Sequence, residues 1–142
     1  MMRLKVLASA GALAALTALA GCASSPQTPY GKVAGDYAGV LPCADCSGIS
    51  TQLQMRNDDD VAGTYELRSV REGKSDQVLV TRGNFLVLEN AGPQQLPLVY
   101  QLKGADGNTI YNLRPLDDGN LLVLDNEMRT SQTGADMTLK RR

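Results

Sequence analysis

Ile49-Ser50-Thr51-Gln52-Leu53-Gln54-Met55-Arg56 carries the clearest structural signal in the chain. Ile49, Thr51, Leu53 and Met55 share one face, and Ser50, Gln52, Gln54 and Arg56 share the other. That period of two is the alternation of a strand with one face buried. Working outward, Asn57-Asp58-Asp59-Asp60 reads as a turn, and Tyr65 and Leu67 alternate with Thr64, Glu66 and Arg68 in a second strand. Glu72-Gly73-Lys74-Ser75 turns the chain again. Val78-Leu79-Val80 leads to Gly83, and Phe85 to Leu88 runs on to a break at Asn90-Ala91-Gly92-Pro93. Leu96, Leu98, Tyr100 and Leu102 alternate next, and Asp106-Gly107-Asn108 is a turn signal. Ile110 to Leu113, Leu121 to Leu124 and Met137 to Leu139 complete about eight or nine short strands, the pattern of a sandwich or barrel. An antiparallel meander of this size can close on itself, which removes its exposed edges.

The chain has 142 residues, enough for one domain. Its 14 Lys and Arg nearly balance its 15 Asp and Glu, so there is no basic footprint for nucleic acid. There is no His, which excludes Ser-His-Asp and Cys-His catalysis and every imidazole zinc site. No nucleophile with its base, no catalytic carboxylate pair and no phosphate loop can be assembled, so the expectation is that this is not an enzyme. Asp58-Asp59-Asp60 lacks the Gly and distal Glu of an EF-hand, and Asp117-Asp118-Gly119 reads as a turn. Lys140-Arg141-Arg142 is too short for a nucleic-acid arm.

The N-terminus has the form of an export signal. Arg3 and Lys5 precede an uncharged, Ala-rich run from Val6 to Leu19. Ser24, Ser25, Pro26 and Pro29 then argue against a continuing membrane helix. Leu19-Ala20-Gly21-Cys22 resembles the bacterial lipobox. The resemblance implies a signal peptide over residues 1–21, cleavage after Gly21 and acylation of Cys22, which would anchor the chain to a membrane. Ala23, rather than an Asp, points to the outer membrane with the domain facing the periplasm. The alternative is an ordinary secretory cleavage site that leaves a free thiol. Residues 22–35 have little to bury and read as the lipidated cysteine and a flexible tether spanning about 20 Å. Three cysteines leave one over in an exported protein, and acylation of Cys22 leaves Cys43 and Cys46 as a pair.

Tyr37-Ala38-Gly39-Val40-Leu41-Pro42-Cys43-Ala44-Asp45-Cys46-Ser47-Gly48-Ile49 is the distinctive motif. It resembles the N-terminal domain of the NlpE family of copper-resistance and envelope-stress lipoproteins. Thr51-x-Leu53, Leu122-Val123-Leu124-Asp125 and Met137-Thr138-Leu139-Lys140 add to the resemblance, which runs loosely over residues 36–142. It implies an all-β domain, a small antiparallel lipocalin-like β-barrel of about eight strands. It also implies a periplasmic setting, a link to copper tolerance, and signalling partners of the Cpx envelope-stress pathway. The chain stops where longer members continue into an OB-like second domain. Gly83-Asn84-Phe85 stands where many relatives have Gly-x-Trp.

Cys43 and Cys46 admit three chemistries. The oxidising periplasm favours a disulfide, with Pro42, Asp45 and Gly48 shaping its loop. A reduced pair offers two thiolates to copper(I), and Met55, Met128 and Met137 are the thioethers to hand, with only Met128 in a polar loop. Thiol–disulfide exchange is third, because no helix start is present to lower a thiol pKa. The expected role is copper homeostasis or stress sensing through this loop. The competing readings are a carrier of a small apolar ligand and a structural lipoprotein without ligand.

Overall fold

The alternating stretch is realised as the middle of β2 (Gly48–Asp59), in a computed structural model that describes residues 28–131 and 134–142. The signal peptide and Cys22 lie outside the described residues. β2 pairs on one side with β1 (Gly35–Leu41) and on the other with β3 (Ala62–Glu72). β4 (Leu79–Leu88), β5 (Val99–Lys103), β6 (Thr109–Pro115), β7 (Leu121–Leu124) and β8 (Thr138–Arg141) follow, each antiparallel to the strand before it. β8 returns to β1, with Tyr37 opposite Arg141, and closes an eight-stranded barrel. The alternation allows a sandwich or a barrel, and the chain forms the antiparallel barrel that the motif's resemblance implies.

The inward positions fill the barrel. Tyr37 and Leu41, Leu53 and Met55, Tyr65 and Leu67, Phe85, Tyr100, Leu102, Leu113, Leu121, Val123 and Leu139 form one buried cluster. The interior is therefore packed side chain against side chain, as in other small barrels. Two glycines let aromatic rings lie flat across β3 and β4. Gly63 faces Phe85 and Tyr65 faces Gly83. A Cβ on Gly63 would stand 2.2 Å from the Phe85 ring, and one on Gly83 would stand 2.1 Å from the Lys103 carbonyl oxygen. Both positions require the residue that has no side chain.

Three local expectations are corrected. The Asn57–Asp60 turn begins later, because β2 continues through a bulge at Asn57/Asp59, and the Val61 amide is held by the Asp59 carboxylate at 2.8 Å. The strand expected from Leu96 starts only at Val99, since Pro97 interrupts the ladder. Leu96 instead bridges to Ala91 and joins Val99 and Leu124 in a second, outer cluster under the β4–β5 loop. The tether also ends earlier than expected. Thr28, through its Oγ1, caps α1 (Pro29–Val33) at the Gly31 amide, with Pro29 in the first helical turn.

This short helix docks on one end of the barrel. Val33 is buried, and the Tyr30 ring lies 5.4 Å from that of Phe85. Tyr37 Oη donates to the Val33 carbonyl at 2.7 Å, and Tyr100 Oη donates to the Pro29 carbonyl at 3.1 Å. The Arg141 guanidinium donates to the Ala34 carbonyl and stands 5.2 Å from the Tyr37 ring centre. Two core tyrosines thus bond carbonyls of the helix at the mouth, and that of Val33 is among those a helix end leaves unpaired.

Candidate functional site

β1 starts beside α1 and runs away from it for seven residues, about 20 Å at strand rise. The loop from Pro42 to Ser47 therefore lies at the opposite end of the barrel from α1. Leu41 anchors its start in the core, and Gly48 anchors its end. Gly48 is buried, and a Cβ there would stand 2.7 Å from Val40 Cγ1, so a larger residue would push the loop off β1. Pro42, Ala44 and Asp45 are exposed, while Cys43 and Cys46 are half-buried.

Cys43 and Cys46 are joined in a disulfide, with Cα atoms 5.4 Å apart. Cys43 Sγ lies 3.3 Å from an Asp45 carboxylate oxygen, and Cys46 Sγ lies 3.4 Å from the Gly48 carbonyl oxygen. The bonded sulfurs carry no hydrogen, so these are contacts that become hydrogen bonds only on reduction.

The loop is tied to the neighbouring hairpin. Ser47 N–H donates to the Glu72 carbonyl at 2.9 Å. Asp45 accepts from Lys74 Nζ at 2.6 Å and from the Arg71 guanidinium at 3.3 Å. The Lys74 bond, and next the Arg71 charge, hold the Asp45 carboxyl below its usual range. The clamp is therefore intact above the ordinary carboxylate pKa and is lost as pH falls through the depressed folded-state value. Reading the chain in order identifies Pro42, Cys43, Asp45, Cys46 and Gly48 but not Lys74 and Arg71. Those two stand in and beside a stretch that reads only as a turn, and no local pattern shows which charge the hairpin will meet.

The ligating atoms of Cys43, Asp45 and Cys46 lie within 4.8 Å of one another. Oxidised, the site offers one hard carboxylate and no thiolate. Reduced, it offers two soft sulfurs close together, which suits copper(I). The methionines stand in apolar packing. Met55 is in the barrel core, Met137 packs against that core, and Met128, expected in a polar loop, packs against the outer cluster.

A surface cleft of about 380 Å³ is lined by Asp36, Gln52, Gln54, Glu66, Arg68 and Arg142 among others, chiefly outward-facing residues of β1 to β3. It lies outside the barrel and is polar, unlike the apolar cavity of a carrier.

Among solved structures, the chain is similar to a candidate lipoprotein from Shewanella oneidensis. The identity is 28%, covering 81% of this chain and 91% of that one, with a TM-score of 0.59. It is also similar to the Cpx pathway activator NlpE from Escherichia coli, at 22% identity over 70% of this chain and 46% of that one, with a TM-score of 0.48. No curated protein sequence matches the chain. Residues 37–134, from the buried Tyr37 of β1 through the disulfide loop to the β7–β8 connection, match the family model of the NlpE N-terminal domain, and the chain belongs to that family.

Proposed function

We propose that this chain is an outer-membrane lipoprotein, anchored through Cys22, whose periplasmic barrel acts in envelope-stress sensing or copper homeostasis through the Cys43–Cys46 loop. Family membership supports the stress-lipoprotein setting and signalling partners of the Cpx type. The single observation that carries the loop's part is its construction. A disulfide sits half-exposed at the barrel end away from α1, with Asp45 clamped to Lys74 and Arg71 of the next hairpin. Reduction would free two thiols beside that carboxylate, so a redox change or copper(I) capture would act on the clamp and on the β3–β4 hairpin behind it. The loop acts by binding or sensing rather than by catalysis.

The filled interior weighs against a carrier of a small apolar ligand, because Tyr37, Leu53, Phe85 and Tyr100 occupy the space a ligand would need. The test is C43S/C46S in cells and in solution. The reduced wild-type chain is expected to bind copper(I) one to one, and the double variant to lose both that binding and the copper-tolerance or stress-reporter response. A response indifferent to the double change would leave a structural lipoprotein as the better description. C22S is expected to leave the membrane fraction, and normal membrane retention of that variant would remove the anchoring part of the proposal.

A further inference from the structure

The barrel closes through only part of β4. Phe85 to Leu88 pair with β5 and Gly83 lies against the Lys103 carbonyl, whereas the stretch from Leu79 to Arg82 pairs with β3 alone. On the side away from β3, every second residue of that stretch presents its N–H and C=O with no strand opposite. The same edge carries a run of exposed apolar residues, with Val78 and Leu79 each 50% exposed and Val80 44% exposed. Natural edge strands are usually blunted by charge, proline or cover. Here Pro is absent, and the first charges stand outside the apolar run, at Asp76 before it and Arg82 after it.

We propose that this edge pairs with its counterpart in a second copy of the chain, antiparallel and two-fold symmetric about Leu79. In that register Leu79 faces the second copy's Leu79, Val78 faces its Val80, Gln77 faces its Thr81, and Asp76 faces its Arg82. The charge pattern selects the arrangement. β4 begins at Leu79; with the strand continued back through Val78 in the paired state, Asp76, Val78, Val80 and Arg82 share one face, and directly opposite residues in an antiparallel pair share a face. Each Asp76 thus meets an Arg82 and each Val78 meets a Val80, twice over. A shift of the register by two residues, centred on Val80 or Val78, loses these matches. Among the described residues Asp76 has no ion pair, and Arg82 bonds only Glu66, at 2.8 Å on the exposed outer face, which leaves its guanidinium further donors. An isologous contact of this kind is self-limiting, so two edges cover each other and no third copy can add. The two barrels then run head to tail, with their α1 ends pointing in opposite directions. A membrane-anchored pair would lie with its barrel axes along the membrane surface.

The experiment uses the full chain purified in detergent. Leu79→Cys places a thiol on the two-fold axis, and Gln52→Cys places one on an exposed position of β2 far from this edge. Under mild oxidation the Leu79→Cys chain is expected to form a covalent dimer, and Gln52→Cys no more than wild type. By sedimentation equilibrium, Val80→Lys is expected to weaken dimerisation by about tenfold or more. D76R and R82D are each expected to weaken it, and D76R/R82D together to recover most of the loss. Circular dichroism melts are expected to stay at the wild-type midpoint for all of these exposed positions. A chain that stays monomeric while Leu79→Cys cross-links no more than Gln52→Cys would overturn the proposal. Failure of the charge swap to recover would overturn the register.

Discussion

At the residue scale, Tyr100 shows how one buried hydroxyl ties the mouth of the barrel to its stability. Its ring is fully buried and its Oη donates to the Pro29 carbonyl of α1. Burial, with the neighbouring Tyr37 adding and Arg141 opposing, pushes its pKa from 10.0 up to about 12. Burial likewise raises Tyr37, Tyr65 and Tyr111. A raised value means that the native state keeps a proton the unfolded chain gives up. The contribution is therefore complete below pH 10 and is lost as pH rises from 10 towards 12. Tyr100 alone is worth about 2–3 kcal/mol across that window. Urea midpoints are expected to be flat approaching pH 10 and then to fall, with tyrosinate absorbance rising as the domain unfolds. Tyr100→Phe is expected to flatten that fall while lowering stability at neutral pH, through the lost bond to α1. A midpoint that holds steady from pH 10 to 12 would sink the account.

At the element scale, the alternation over β2 was legible because one face is buried and the other wet. Leu53 and Met55 are 2% and 1% exposed, whereas Gln52 is exposed. Leu53→Asp puts an unpaired charge in the core and is expected to cost about 4 kcal/mol or more, most of a small domain's stability. Gln52→Asp is expected to stay within about 0.5 kcal/mol. Equal thermal midpoints for the two would refute the faces. Elements set by distant partners were not legible. Pro29–Val33 looks like part of a tether because five residues carry no helical stripe, and its stability comes from Tyr30 against Phe85 and from two core hydroxyls. Leu98, expected on the inward face of a longer strand, does pack against the core although it precedes β5. Leu96 does not, because the β4–β5 loop folds back over the outer face of the sheet.

At the scale of the whole molecule, the barrel is held by its filled interior and the disulfide is an addition to one of its ends. A loop closed by residues three apart removes little entropy from the unfolded chain. C43S/C46S is expected to fold and to lose at most about 2 kcal/mol, read as a modest drop in urea midpoint. Loss of folding would make the pair a structural staple and would leave the loop without a separable role. The same double variant therefore separates stability from response, since the loop and its Asp45–Lys74–Arg71 clamp are exposed at the barrel end away from α1.

The all-β class, the inward and outward faces of the central strands, and the Cys-x-x-Cys loop before β2 follow from the order of residues alone. These depend on local period and on short spacing, which a linear chain displays directly. Closure of the sheet into a barrel, the seat of α1 on one mouth, the grip of Lys74 and Arg71 on Asp45, and the unpaired edge at the start of β4 were settled only in three dimensions. Each of these is a contact between residues far apart in the chain. Such contacts follow from shear, register and strand length acting together, and no window of sequence contains that information.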